Sequence, residues 1–266
     1  MTEGQLLQVI KRTLEQGGVL PAALEARWIL ADVAGEPFDP LTILEPAQVE
    51  RALALAQRRA AGEPLQLVLG TTEFLELELE LRPGVFIPRP ETEYLVTRIL
   101  ARWPEPPEKV LDFGTGSGAI ALALKQAWPQ SEIWICDRNP LALELALANA
   151  RRCQLEVKVC SPEEWPADLE LLVSNPPYLP ESYRKEAPRE LLYEPDEALY
   201  SGPQGLDVAR ELLARAESVL TRGGGLALEL DPGNVRVMAA ELPPGFSGQV
   251  EPDWAGLPRY LFARKG

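Results

Sequence analysis

The sequence predicts an α/β fold: an open, mostly parallel sheet that follows a small helical N-terminal domain. Apolar residues recur at helical spacing over residues 1 to about 62, and strands alternate with helices from Pro88 onward. The first of those strands also runs straight into a glycine-rich turn that opens a helix. At 266 residues the chain can bury one large core with a smaller partner.

Three groups mark the N-terminal helices: Leu6, Leu7, Ile10 and Leu14; Ala23, Leu24, Ala26, Trp28 and Leu30; Val49, Ala52, Leu53 and Ala56. Gly17-Gly18, Pro37 through Pro40 and Gly62-Glu63-Pro64 punctuate them, which bounds a helical domain at residues 1–64. Residues 65–87 read LQLVLGTTEFLELELELRPGVFI. Phe74, Glu76, Glu78 and Glu80 share one side and Leu75, Leu77, Leu79 and Leu81 the other, so a β-hairpin linker with one wet face is expected. Residues 88–266 form the main domain. A helix at 91–102 leads to a strand at 109–113, a helix at 118–127, a strand at 132–136, a helix at 140–152 and a strand at 155–160. The fourth strand ends at Ser174. A helix near 206–221, a strand at 225–230, a helix near 233–241 and strands at about 247–253 and 258–264 complete the chain.

Acidic residues outnumber basic ones by 40 to 26, a formal charge of −14, which argues against affinity drawn from a nucleic-acid phosphate backbone. The chain has no histidine, the commonest general base and zinc ligand, and Cys136, Cys153 and Cys160 lack metal-ligand spacing, so no metal is expected. The cysteines are too few for a disulfide framework and read as buried thiols of a reducing compartment. The N-terminus, MTEGQLLQVIKRTLEQGG, is amphipathic and charged, and no apolar run approaches the roughly 20 residues of a membrane span. A cytoplasmic protein without a membrane partner, monomeric, is expected.

The turn reads VLDFGTGSGAI. Gly114, Gly116 and Gly118 allow a tight bend and a close ligand approach, and the helix start offers unpaired N–H groups. Asp137 closes the next strand, where its carboxylate can accept hydrogen bonds from both ribose hydroxyls. Together they point to an adenosine cofactor. Gly114, Gly116 and Ala119 also satisfy the dinucleotide fingerprint, so NAD competes, as does a purely structural glycine turn. Asp112, at the mouth of the first strand, favours S-adenosylmethionine, whose α-amino group it suits and whose competitor's pyrophosphate it would repel. Trp165, in the loop after the third strand, could stack on an adenine or cap the core.

The fourth strand stops at Asn175-Pro176-Pro177-Tyr178. Ligands of open α/β sheets bind beyond the carboxyl ends of the strands, which places Asn175 opposite a cofactor's reactive group. Its side-chain oxygen and the Pro176 carbonyl can accept both hydrogens of a planar NH2 group, the prolines fix the backbone, and Tyr178 offers a flat face. An amide nitrogen is a weak nucleophile, so orientation and acceptors matter more than a strong base. Asn-Pro also starts ordinary turns; here its place at a strand end beside D-x-G-x-G-x-G raises it to a candidate site.

Taken together, FIPRPETEYLV, VLDFGTGSGAIALAL, CDRNPLALELALANA, VSNPPYLP, YEPDEALYSGPQGLD and DWAGLPRY resemble the HemK/PrmC family of glutamine-N5 methyltransferases acting on peptide chain release factors. IPRPETE is the most family-specific stretch. The resemblance implies a class I S-adenosylmethionine-dependent methyltransferase of Rossmann-like fold, an N-terminal domain that docks the substrate, and S-adenosylhomocysteine as product. It places Gly114, Thr115, Gly116, Ser117, Gly118, Asp137, Trp165 and Asn175 at the cofactor. It also implies that Asn175, Pro176, Pro177 and Tyr178 hold the glutamine of the release factor's GGQ tripeptide. Arg89 starts a helix by the same pocket. Leu67 stands where relatives often have tyrosine, and LELDPGN lacks a glycine that often follows Glu229. Arg184, Lys185 and Arg189 form a basic cluster after Tyr178 that is either a solvated face or a docking element. An adenine or guanine amino-methyltransferase is the competing reading, because NPPY occurs there too, and it would require base flipping and a basic recognition region. A nucleotide-binding module without turnover is a third, disfavoured by intact Asp112, Asp137 and Asn175.

Overall fold

Thr2 caps the first helix reciprocally: its hydroxyl accepts from the Gln5 N–H, and the Gln5 side chain accepts from the Thr2 N–H. The helix, α1 (Glu3–Gln16), buries Leu6, Ile10 and Leu14 on one stripe. That stripe packs with α2 (Ala22–Ala34), α3 (Pro46–Ala60) and α4 (Leu65–Leu69) around a core that also contains Ile29, Leu55 and Val68. The computed structural model describes all 266 residues. It forms two compact units: Met1–Thr71 with Pro188–Tyr193, and Thr72–Ala187 with Glu194–Gly266.

Within the helical unit a charged cluster is buried. Arg59 donates to Glu25 at 2.5 and 3.2 Å and to Glu190 at 2.8 Å, and Arg59 and Glu25 are each only 7% exposed. The span 65–69, expected to begin a hairpin, is instead the one-turn helix α4, closed by Gly70 at φ +79°. A short apolar run fits either element, and here Leu65, Leu67 and Val68 are all buried.

The hairpin itself is shorter than expected, β1 (Thr71–Phe74) and β2 (Leu77–Glu80). Leu75, at φ +52°, occupies the turn between them, so the expected alternation is reset: Phe74 is buried together with Leu77 and Leu79 while Leu75 is exposed.

The larger unit is built on a seven-stranded sheet: β3 (Lys109–Phe113), β4 (Glu132–Cys136), β5 (Lys158–Val159), β6 (Leu169–Ser174), β7 (Leu220–Glu229), β8 (Phe246–Pro252) and β9 (Pro258–Lys265). Their spatial order is β5-β4-β3-β6-β7-β9-β8, parallel from β5 to β7 and antiparallel at β7/β9 and β9/β8. Alternate residues feed two cores. Val110, Leu171 and Val173 face α5 (Pro90–Arg102), α6 (Ala119–Ala127) and α7 (Pro140–Arg152). Leu111, Leu172 and Leu228 face α9 (Asp207–Val219) and α10 (Asn234–Ala240). A short helix, α8 (Asp196–Leu199), precedes α9. The chain reverses direction across the sheet between β3 and β6, so their carboxyl ends flank the crevice where open α/β sheets take ligands. No helix is long and apolar enough to cross a membrane.

Candidate active site

Beyond those strand ends lies a cavity of about 250 Å³. Its floor is the turn after β3. Gly114 and Gly116 sit at φ +70° and +57°, and no atom lies within 4 Å of where a Cβ on either would project. The open side of that backbone is therefore free for a ligand. Two N–H groups, of Gly114 and Thr115, bond the Cys136 carbonyl at 2.9 and 3.1 Å and fasten the turn to β4. Asn149, fully buried on α7, holds it from the other side by donating to the Ser117 carbonyl at 2.9 Å. Gly118 is not on the cavity wall. A Cβ there would come within 3.2 Å of Ala146 and Leu122, so this glycine serves helix packing.

Asp137 follows β4 and lines the cavity. Its oxygens accept from the Gly116 N–H at 2.9 Å and the Asn139 N–H at 2.8 Å, leaving further lone pairs toward the opening. Burial pushes its pKa up, against those two backbone donors. Asp112, expected at a ligand's ammonium, does not reach the wall. It is 0% exposed, and its Oδ2 accepts from the Thr115 hydroxyl at 2.7 Å and the Ala121 N–H at 3.2 Å while Oδ1 has no partner. It thus ties the glycine turn to α6, and burial pushes its pKa up to about 7.

Asn175 enters the cavity from the end of β6, beside Pro177. Its Nδ2 donates to Thr92 Oγ1 at 3.0 Å, which turns Oδ1 the other way. Pro176 is buried and Tyr178 packs into the core under α9 and α10, its carbonyl accepting from Asn234; neither lines the cavity. Trp165 also turns inward, with its ring 5.0 Å from Phe113 and the Arg215 guanidinium 3.5 Å from its centroid. It is not among the residues that line the cavity and packs half-buried against the core.

Residues 78–231 match the Methyltransferase small domain family, and residues 5–70 match the PrmC N-terminal domain family. A release factor glutamine methyltransferase from Deinococcus radiodurans is 41% identical over 98% of this chain and 97% of its own length. The chain belongs to the release factor glutamine methyltransferase family. Another release factor glutamine methyltransferase, from Moorella thermoacetica, is 38% identical over 99% of this chain and 98% of its own. A solved methyltransferase structure from Pyrococcus furiosus, 19% identical, matches 84% of this chain and 100% of its own with a TM-score of 0.55, a likeness of fold. The larger unit is accordingly a class I methyltransferase fold.

In this member of the release factor glutamine methyltransferase family, sequence reasoning missed several cavity residues. Phe86 and Thr92 come from the segment entering α5, and Glu197 and Tyr200 from α8 and its end. Their stretches, IPRPETE and YEPDEALYSGPQGLD, stood out by resemblance, but nothing in their spacing marked which side chain would face a ligand. Arg89 is engaged by Glu194 and lies over the Phe86 ring at 4.9 Å. Within the expected basic cluster, Arg184 pairs with Asp196 and covers the Tyr200 ring at 4.1 Å.

Proposed function

We propose that this chain is an enzyme that transfers a methyl group from S-adenosylmethionine to the side-chain amide nitrogen of a glutamine in peptide chain release factors, the glutamine of the GGQ tripeptide. The observation that carries the reading is the placement of Asn175: its amide oxygen is turned from Thr92 in the same cavity that the glycine turn and Asp137 line.

The residues present fit such a cofactor. Open space above Gly114 and Gly116 admits a ligand against the backbone, and Asp137 presents a carboxylate suited to ribose hydroxyls. When bound, S-adenosylmethionine supplies a sulfonium-activated methyl group. The protein's share is positional. Asn175 Oδ1 accepts one hydrogen of the substrate NH2, and the proline pair limits backbone movement at the break. Holding an amide nitrogen in line at near-attack distance can contribute on the order of 7–11 kcal/mol, so no histidine base is needed.

The helical unit is proposed to dock the protein substrate. Leu20, Leu41 and Ile43 are 87, 80 and 78% exposed there, a burial opportunity for a partner surface. The net charge of −14 favours a protein over a nucleic acid as substrate. Three free cysteines fit a cytoplasmic setting.

The test is incubation with isotopically labelled S-adenosylmethionine and a purified release factor, with the methyl group mapped by mass spectrometry. Label is expected on the glutamine amide, and Asn175→Ala should lower the rate by about a hundred- to thousandfold, as loss of one preorganised contact does. Label on nucleic acid, or transfer undiminished by Asn175→Ala, refutes the reading.

A further inference from the structure

We propose that Glu229 is a positioning residue for methyl transfer: acting through the Thr92 hydroxyl, it holds the Asn175 amide with its oxygen turned into the cavity. The proposal rests on the amide-methylation reading and specifies how its acceptor is oriented.

The two ends of an asparagine amide are alike in shape and opposite in polarity. Thr92 alone cannot choose between them, because a hydroxyl either accepts from Nδ2 or donates to Oδ1. The choice depends on where the hydroxyl hydrogen goes. Glu229, the last residue of β7, is 1% exposed, and neither carboxylate oxygen has a partner in good hydrogen-bond geometry. A buried polar group left so requires an explanation. The Thr92 hydroxyl is the neighbouring side-chain donor that eases the charge on Glu229.

An ionised Glu229 can only accept. It draws the Thr92 hydrogen to itself, so a Thr92 lone pair faces Asn175 Nδ2, the arrangement seen at 3.0 Å, and Oδ1 is left for the substrate. A protonated Glu229 can donate to Thr92, which then gives its own hydrogen to Asn175 Oδ1. The amide flips, and its NH2 meets the substrate's NH2, donor against donor. Ionised Glu229 is therefore the working state.

The surroundings put that ionisation within reach of ordinary pH. Burial pushes the Glu229 pKa up to about 7. Arg89 at the entry to α5 and Arg259 on β9, itself bonded to Asp253 at 2.9 Å, favour the anion, and Glu91 opposes it. Tyr178 and Tyr260 complete the shell, and both are held neutral by burial and by Glu229.

The experiment measures kcat/KM for release-factor methylation at saturating S-adenosylmethionine, from about pH 5.5 to about pH 8.5, for wild type, Glu229→Gln, Thr92→Val and Thr92→Ser. Wild-type activity should fall about tenfold per pH unit below about pH 7 as Glu229 gains its proton. Glu229→Gln, able to donate or accept, should flatten that limb and lower the plateau about two- to tenfold. Thr92→Val should lower the plateau about ten- to hundredfold, and Thr92→Ser should return it to within about threefold of wild type. S-adenosylhomocysteine affinity within about twofold of wild type in each variant shows an intact cofactor site. A wild-type acid limb persisting in Glu229→Gln, or Thr92→Val as active as wild type, overturns the proposal alone. Wild type that methylates no release-factor glutamine overturns the functional reading and this proposal with it.

Discussion

Replacing Asp112 by asparagine should stabilise the larger unit in neutral to alkaline solution while weakening its hold on the cofactor. Asp112 is fully buried with a pKa of about 7. An unfolded aspartate titrates near 3.9, a difference of about three units, so carrying the charge costs the folded state about 4 kcal/mol above pH 7. The sign follows from proton binding. The folded protein holds this proton more tightly than the unfolded chain, so the contribution to stability is fully present below about pH 4 and is lost as pH rises through about 7. Asparagine keeps an oxygen for the Thr115 hydroxyl and the Ala121 N–H, and it places a neutral NH2 where Oδ1 now has no partner. That unsatisfied NH2 costs about 1–3 kcal/mol, leaving a net gain of about 1–3 kcal/mol at about pH 8. For a unit of this size the melting temperature rises by about 2–10 °C. Thermal melts of both proteins at about pH 8 and about pH 4.5 provide the assay, and the advantage should shrink or reverse in acid. Charge-assisted bonds are about twice as strong as neutral ones, so a less firmly held turn should weaken S-adenosylhomocysteine binding about tenfold by calorimetry. A variant less stable than wild type at about pH 8, or a difference independent of pH, refutes the reasoning.

Two further substitutions probe other links. Gly116→Ala forces a side chain into φ +57° and into the open face of the turn, so S-adenosylhomocysteine affinity should fall about tenfold or more while the unit loses only about 1–2 kcal/mol. Titration calorimetry beside a thermal melt separates the two effects. Glu25→Ala leaves the buried Arg59 guanidinium with Glu190 as its one remaining ion-pair partner, beside the Glu63 carbonyl, and should destabilise the helical unit by about 3–5 kcal/mol, read as earlier proteolytic cleavage within residues 1–71.

The chain made the alternation of strands and helices and the glycine turn readable because both write themselves locally: a strand, a tight bend and a helix must follow one another within a few residues. Asn175 was legible for the same reason, as a polar residue at a strand end with prolines behind it. The differences between sequence position and placement concern orientation. Asp112 and Trp165 stand at the ligand edge of the sheet, yet one is withdrawn to Thr115 and Ala121 and the other lies between Phe113 and Arg215. Sequence position places a backbone near a ligand, whereas packing decides which side of that backbone the side chain takes. Thr92 and Tyr200 lay in stretches that stood out by resemblance, yet neither was singled out, since each reaches the cavity from an element far from the turn in the chain. Glu229 sits in an apolar strand, LALEL, where only the three-dimensional neighbourhood reveals a buried carboxylate beside the Thr92 hydroxyl.

Between the Asn-Pro-Pro-Tyr break and the Tyr200 wall the chain leaves the sheet and comes back. Leu179 donates to the Leu199 carbonyl at 2.9 Å and accepts from the Ser201 N–H at 3.0 Å, and Glu181 donates to the Gly202 carbonyl at 3.1 Å. These bonds work as a zipped stem, so the register of Asn175 against Tyr200 is set before the excursion begins. Lengthening such a loop adds only about 0.6 kcal/mol of closure entropy per doubling. Residues added after Lys185, which leave Arg184 on Asp196 and on the Tyr200 ring, are thus a change in length that evolution, or an engineer inserting a fluorophore or an affinity tag, can make without retuning the chemistry next door.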